Sequence, residues 1–421
     1  MKILQINNCH YNRGGADVVY LNTGVLLESH GNDVSYFSMK NDLNEKTKYE
    51  KYFVESVDFF NISFLKKILH FFRFFYSRES NRKLNILIED FNPQIAHVHL
   101  YKGGLTPSIL GVLRKNNIPV LVTLHDYGFL DPHNLLLDGN LNISEKCITG
   151  SSFNCVRDKS NRNSYLLSFV STLEYIYHSK IFPFDKYFNT IVAVSKFSRD
   201  LHLKSDKFDW SIVHLYNFSP LLISHEEIIK QESNYLLYFG RLSREKGIKT
   251  LINAVEKLDV KIDLKIIGTG VLEEELKKYI HDSNLTNIKL LGFKKGKELD
   301  KLIRESKFVI VPSQWYENNP MTIIEAYCLG VPVIGSRIGG IPEIIDEGKT
   351  GFTYEMGNID DLVVALTRGI NLSEEEYIRL KNNARVFAEE NFSPSAHYDK
   401  LMNLYKKTIE NTRFKYGQKE F

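Results

Sequence analysis

Two parallel α/β domains in tandem are the fold class this sequence predicts, and three observations carry it. Short apolar runs rich in Val and Ile alternate with longer amphipathic segments, the rhythm of parallel strands joined by crossover helices. Most of the runs lack a clean period of two, as strands buried on both faces do. At 421 residues the chain is also long for a single hydrophobic core.

In order, the first-half runs are KILQIN, DVSYFSM, IAHVHL, PVLVTLHD, TIVAVS and SIVHLY. After LYNFSP the polar stretch SHEEIIKQESN intervenes, which places a boundary between Asn217 and Asn234. The rhythm restarts with YLLYFGR, DLKIIGTG, IKLLGF, FVIVPS, PVIGS and GFTY. FSPSAHYDKLMNLYKKTIE then reads as a final helix, with Ser393 as cap, Pro394 in the first turn, and Tyr398, Leu401, Met402 and Tyr405 on one face. The expected organisation is a first Rossmann-like domain over 1–217, a second over 218–392, and a terminal segment 393–421 whose last residues fray. No repeat of fixed period and no low-complexity tract is present.

Charge and composition remove several function classes. Lys and Arg number 54 against 51 Asp and Glu, and the net +3 is too small to predict a nucleic-acid partner. MKILQINNCH enters a strand pattern without a signal-peptide profile, and no window holds eighteen uninterrupted apolar residues, so a cytoplasmic protein is expected. Cys9, Cys147, Cys155 and Cys328 are far apart with no CxxC spacing, which suits reduced thiols.

Ligands of open α/β sheets collect at the carboxyl ends of the strands, so chemistry is sought there. After FVIVPS the chain reads Gln314, Trp315, Tyr316, Glu317, Asn318, Asn319, Pro320, and then an apolar helical spacing from Met321 to Leu329, closed by Gly330 and Pro332. Asn is a good cap and Pro a good first helical residue, which predicts a helix over Pro320 to Leu329. Its mouth would present unpaired N–H groups and a positive dipole end to an anion, with phosphate the natural guest. Glu317 before the helix and Glu325 within it are placed to accept hydrogen bonds from hydroxyls on either side of a diphosphate. In YFGRLSREKGI, Gly240 and Arg241 end a strand while Lys246 and Gly247 enter a helix, giving two cations for a diphosphate. Gly268 in IGTG and Phe293 in LGF close two more strands, where backbone could approach a planar base. In the first domain, Gly14 and Gly15 turn a strand into a helix. His99, His125 and Asp126 stand at strand ends on the side expected to take an acceptor. Taken singly, each of these groups has a structural role as readily as a functional one. Five strand-end loops pointing into one interdomain cleft make a site.

Glu317 and Glu325 with seven residues between them, followed by EAYCLGVPVIGSRIGGIPEII and GKTGF, resemble the signature of the retaining glycosyltransferases of family four, which have the GT-B fold. The likeness extends to GGA (14–16), LHD (124–126), AVS (193–195) and GRLSREKG (240–247), nearly the whole chain in the family's order. It implies a nucleotide-sugar donor bound mainly by the second domain, an acceptor bound mainly by the first, and a last helix that returns to the first. By that resemblance Arg241 and Lys246 hold the diphosphate, Glu317 meets donor-sugar hydroxyls and Glu325 the ribose. Backbone groups from Asn319 through Pro320 and Met321 to Thr322, next to Asn318, face sugar and phosphate. Gly14 and Gly15 approach the leaving phosphate, and His125 lies beside the reacting sugar. No residue becomes a nucleophile, so positioning and charge stabilisation carry the rate. Such enzymes require no metal or other cofactor, and no DxD triplet occurs.

Cys147 and Cys155, with His125 and His133 upstream, raise zinc as a rival, but a spacing of eight is poor for it and local packing is the expected role. The Asn-, Ser- and Asp-rich insertion from Asp126 to about Asn163 is expected over the acceptor side. The stretch SFLKKILHFFRFFYSRESNRK (63–83) is basic and amphipathic, with Lys66, His70, Arg73 and Ser77 on one helical face. It reads either as a contact with an anionic bilayer or as a buried crossover helix. On the first reading the acceptor is a lipid-linked saccharide of a bacterial surface polysaccharide (O-antigen, capsule or exopolysaccharide), a narrowing that rests on family analogy. A nucleotide-sugar epimerase and a non-catalytic glycan-binding scaffold are the alternatives; loss of Arg241, Lys246 or a glutamate would mark the latter, and all four are present.

Overall fold

The computed structural model describes residues 1–56, 73, 75–205, 211–221 and 235–417. The chain divides into two compact units, Met1–Leu215 with Tyr398–Phe421, and Tyr216–His397.

The first unit is a six-stranded, wholly parallel sheet built from β1 (Lys2–Ile6), β2 (Asp33–Phe37), β3 (Ile95–Val98), β4 (Val120–Leu124), β5 (Thr190–Ala193) and β6 (Ile212–His214), in the order β2-β1-β3-β4-β5-β6. β3 and β4 are buried at every position while the edge strand β6 is half-buried throughout, which is why the central runs are so continuously apolar. The longer helices are α1 (Gly15–Ser29), α2 (Arg78–Phe91), α3 (Ser108–Lys115), α4 (Tyr165–Ile181) and α5 (Lys196–Leu203).

The second unit repeats the plan with β7 (Tyr235–Phe239), β8 (Asp263–Ile267), β9 (Ile288–Leu290), β10 (Phe308–Val311), β11 (Val333–Ser336) and β12 (Gly351–Tyr354), all parallel, ordered β12-β11-β10-β7-β8-β9. Its helices are α6 (Ile248–Glu256), α7 (Glu273–Asp282), α8 (Lys297–Arg304), α9 (Met321–Cys328), α10 (Ile359–Ile370) and α11 (Glu374–Phe392). The last helix, α12 (Pro394–Gly417), continues further than the frayed end expected from RFKYGQKEF.

The direction of winding reverses between β1 and β3 in the first sheet and between β7 and β10 in the second. Crevices at the carboxyl ends of those strands are where a doubly wound sheet takes its ligand.

The division between units follows particular contacts. The Asn319 carboxamide accepts from the Asn217 amide at 2.8 Å, Ser219 N–H donates to Phe392 O, and His397 Nδ1 lies 3.0 Å from Tyr216 O. These bonds hold 216–219 and 392–397 in the second unit, so the borders fall at Leu215/Tyr216 and within α12 rather than after 217 and 392. From Tyr398 onward α12 packs on the first sheet, with Leu401 and Tyr405 buried among Ile3, Ile95, Leu121 and Val192.

Candidate functional site

In the second unit the switch point is occupied by two loops that lock together. Gly247 ends the single turn Arg244–Lys246 with φ +68°, and a Cβ there would sit 1.8 Å from Pro312 O. Only glycine lets the turn lie against the end of β10. Gln314 completes the join: its N–H donates to Glu245 O at 2.8 Å and its carboxamide to Thr250 Oγ1 at 2.7 Å. Lys246 is thereby carried to Glu317, with Nζ 2.6 Å from Oε1. The same oxygen accepts from Ser313 Oγ at 2.6 Å and Trp315 Nε1 at 2.8 Å, and the Trp315 ring lies under the ammonium group at 4.9 Å. Glu317 is only 7% exposed. Burial pushes its carboxyl up, but Lys246 and the Ser313 and Trp315 hydrogen bonds outweigh it, leaving the group below its ordinary value. The carboxylate therefore stays charged, with three donors gathered on Oε1.

Arg241 projects outward, 63% exposed, and pairs with Glu245 at 3.4 Å. Gly240 and Gly268 touch backbone to backbone: a Cβ on Gly268 would meet Gly240 O at 1.8 Å, and φ there is +135°. Phe293 follows β9 and is 65% exposed.

The helix mouth differs in detail from expectation. Pro320, extended at φ −66° and ψ 118°, is itself the N-cap and α9 begins at Met321. Asn319 does not cap, because its carboxamide oxygen is committed to Asn217. Pro320 O takes the amides of Ile323 and Ile324 at 3.0 and 3.4 Å, and among the described residues no acceptor meets those of Met321 and Thr322. These are the donors a helix N-terminus offers an anion. Asn318 and Asn319 are buried at 9% and 5% exposure. Glu325, one turn into α9, has no hydrogen bond or ion pair among the described residues. Burial, seconded by Asp300, pushes it up to about 7. The two glutamates that look equivalent in sequence thus differ: Glu317 is held ionised and Glu325 is poised to titrate.

In the first unit Gly14 is extended (φ −177°) and a Cβ there would touch nothing, so no strain explains the glycine and the space before it is open. Gly15 opens α1. His125 follows β4, and burial lowers it to about 4. Asp126 turns back into its own loop, accepting from Gly128 N–H at 2.9 Å. Burial raises its carboxyl, opposed by that bond and by Lys102, which donates to Gly128 O from among the rings of Phe129, Tyr175 and Phe184.

His99, expected on the acceptor side, is 3% exposed and stands behind His125, with its Nδ1 2.8 Å from His125 Nε2. Motif reading missed what lies behind it: Gln5 Oε1 is 3.0 Å from His99 Nε2, and His97 joins through Tyr405 and Thr123. A signal was available in the period of two. Ile3 and Gln5, Ile95, His97 and His99, and Leu121, Thr123 and His125 occupy one face, apolar at the start of each strand and polar at its carboxyl end.

Cys147 and Cys155 are buried free thiols, Cys147 donating to Ser152 O, and no group of three or more His, Cys, Asp or Glu is placed to hold a metal among the described residues. In the stretch 63–83, residues 63–72 and 74 lie outside the described residues. Ser77 is extended and caps α2 by accepting from Ser80 N–H, so the stretch is not one continuous helix and Ser77 does not share a helical face with Arg73. No described helix is long and apolar enough to cross a membrane.

Residues 13–218 match the family Glycosyltransferase Family 4, and residues 222–387 match Glycosyl transferases group 1. An amylovoran biosynthesis glycosyltransferase of Erwinia amylovora is 30% identical over 178 residues, 40% of this chain and 44% of that protein. Three curated relatives, this one among them, are matched by the chain over a little under half of their length. Among solved structures, sucrose-phosphate synthase from Thermosynechococcus elongatus superposes with a TM-score of 0.72 at 17% identity, covering 97% of this chain and 99% of that one. An Anabaena protein solved with UDP and glucose gives 0.64 at 16% identity, covering 97% and 100%. These likenesses establish the GT-B fold.

Proposed function

From a chain that belongs to the family 4-type glycosyltransferases, we propose a retaining, metal-independent transfer of a hexose-type sugar from a nucleoside-diphosphate sugar to a saccharide acceptor. The observation that carries the donor reading is the clasp of Lys246, Ser313 and Trp315 on Glu317 beside the open amides of Met321 and Thr322. A cation and a helix mouth bind the diphosphate, Arg241 adds a second cation, and Glu317 keeps an oxygen for a sugar hydroxyl. Gly240, Gly268 and Phe293 border the base, and Glu325 meets the ribose. No side chain is required as nucleophile: the leaving phosphate accepts the acceptor's proton, and the chain orients and stabilises charge.

The acceptor side, with His125 and Asp126, belongs to the first unit, and the acceptor we propose is a lipid-linked saccharide of bacterial surface polysaccharide synthesis. The relative named for amylovoran biosynthesis supports that class. So does α4, whose outward arc is apolar: Tyr165 is 59% exposed, Leu166 71% and Phe169 42%, while Ser168, Ser171, Thr172, Glu174 and His178 turn inward. An arc of that kind suits the surface of a bilayer, which supports a peripheral contact, and a nucleotide-sugar donor fits the cytoplasmic face.

Calorimetric titration of UDP, GDP, dTDP and ADP with EDTA present tests the donor reading. Binding of one nucleotide, lost in Lys246→Ala and weakened in Arg241→Ala, is the expected result. Failure of every nucleotide to bind folded protein overturns it. With the nucleotide known, the anomeric configuration of the product by NMR tests retention, and co-sedimentation with anionic vesicles, reduced in Phe169→Asp, tests the membrane side.

A further inference from the structure

The segment that opens the second unit, Tyr216–Ser219, is held at every residue. Tyr216 O lies 3.0 Å from His397 Nδ1, the Phe218 ring packs on the His397 ring with centroids 4.5 Å apart, and Ser219 N–H donates to Phe392 O. Ser219 is also hydrogen-bonded to the thiol of Cys328, the last residue of α9. Asn217 meets the other end of that helix. Its main-chain N–H donates to Asn319 Oδ1 at 2.8 Å, and its Nδ2 donates to Asn319 O at 3.4 Å. Both residues are buried, at 6% and 5% exposure.

Each of these two bonds has a main-chain group at one end, so the sense of both carboxamides is fixed: an N–H requires an oxygen, and a carbonyl requires a donor. The Asn319 side chain gives something up to make its bond, since Nδ2 meets no acceptor among the described residues. Left alone, an Asn before Pro turns its oxygen onto the amide two residues ahead, here Met321 N–H, and closes the helix mouth on itself. Asn217 prevents this by taking the oxygen. The amides of Met321 and Thr322 stay open. Anchored through both of its oxygens to one residue, Asn319 also fixes the direction in which Pro320 leads into α9.

We propose that Asn319, through its bond to Asn217, is a positioning residue for the donor's diphosphate, holding the first-turn amides of α9 open for the phosphate oxygens. The phosphate rests on the donor reading above, whereas the open mouth rests on the two bonds alone. Asn319 therefore acts on the phosphates and not on the base, which Gly240, Gly268 and Phe293 border from other loops.

The test is amide hydrogen exchange in the full chain, with inorganic pyrophosphate as the probe because it carries no base. In the wild type the Asn217 amide is protected, while those of Met321 and Thr322 exchange freely and become protected when pyrophosphate is added. Free exchange at Asn217, or protection of Met321 and Thr322 without the probe, overturns the inference. Asn319→Asp keeps an acceptor for the Asn217 N–H and retains its protection; Asn319→Leu loses it. Once the calorimetric panel has identified the nucleotide, Asn319→Leu binds it and pyrophosphate about tenfold more weakly, the size of one hydrogen bond to a charged group, with the affinity for the bare nucleoside unchanged. An equal loss for nucleoside and nucleotide overturns the inference, because a loosened loop would weaken both. A cooperative urea transition reports that Asn319→Leu is folded; should it not fold, the exchange patterns of the wild type and Asn319→Asp still decide. If no nucleotide binds but pyrophosphate protects Met321 and Thr322, the transferase reading falls and the positioning stands. If a nucleotide binds and Asn319→Leu binds it as the wild type does, the positioning falls alone.

Discussion

The two units share a parallel six-stranded sheet and a switch point, yet they stabilise their polar residues there by opposite means. In the second, a buried carboxylate is kept charged by a lysine and two neutral donors, all within two short loops. In the first, burial keeps His125 neutral and a file of hydrogen bonds through four secondary elements satisfies it. The difference teaches where each solution is vulnerable. A charge pair fails when either partner is removed, because the other is left buried and uncompensated. A neutral file fails one hydrogen bond at a time, at less cost in stability.

The largest expected effect follows from breaking the pair. Lys246→Met should cost about 3 kcal/mol in urea denaturation, the low end for unpairing a buried carboxylate because Ser313 and Trp315 remain. Adding Glu317→Gln should return much of that. A double variant no more stable than Lys246→Met would show that the pair is not what holds these loops, and the contrast between the units would lose its first term.

Next comes the neutral file. Tyr405→Phe removes the hydroxyl shared by Gln5 and His97 and should destabilise by about 1–2 kcal/mol, with little change in nucleotide affinity. A loss as large as that of Lys246→Met would make the two solutions equivalent.

The smallest effect, and the most diagnostic in sign, concerns Glu325. Its folded-state value of about 7 lies above the ordinary 4.5, so the folded protein holds this proton longer than the unfolded chain. Its contribution therefore lowers stability as pH rises from about 4.5 through 7, opposite to Glu317, whose depressed value stabilises above the ordinary range and is lost as pH falls through it. The difference in melting temperature, wild type minus Glu325→Gln, should fall from pH 5 to 8, a comparison in which the buried histidines lowered to about 4, which act in the opposite sense, cancel. Glu174 and Asp131, raised to about 7 and 6 by burial, keep part of the slope in both. Parallel curves would mean that Glu325 is ionised throughout, and that the glutamates are alike after all.

How much was legible in advance follows the same line between the units. Asn319 and Pro320 announced a helix mouth, and the helix is there, although Pro320 rather than Asn319 caps it because Asn217 claims the asparagine. Glu317 and Lys246 each stood out in the sequence, but not as partners. Their sequence separation of 71 closes where Gly247 lets its turn lie on Pro312. The double fate of Glu317 and Glu325 was not legible at all, since a carboxylate's charge depends on what surrounds it.

By itself the sequence determined the twelve strands, their burial and the loops that follow them, because apolar runs, capping residues and positive-φ glycines act over a few neighbouring positions. Only the tertiary structure decided which loops lock, which carboxylate remains charged and which polar side chains line up behind His125. Those depend on register and on α12 delivering Tyr405 to Gln5 and His97, and hydrogen-bond direction and desolvation exist only between groups the fold has brought together.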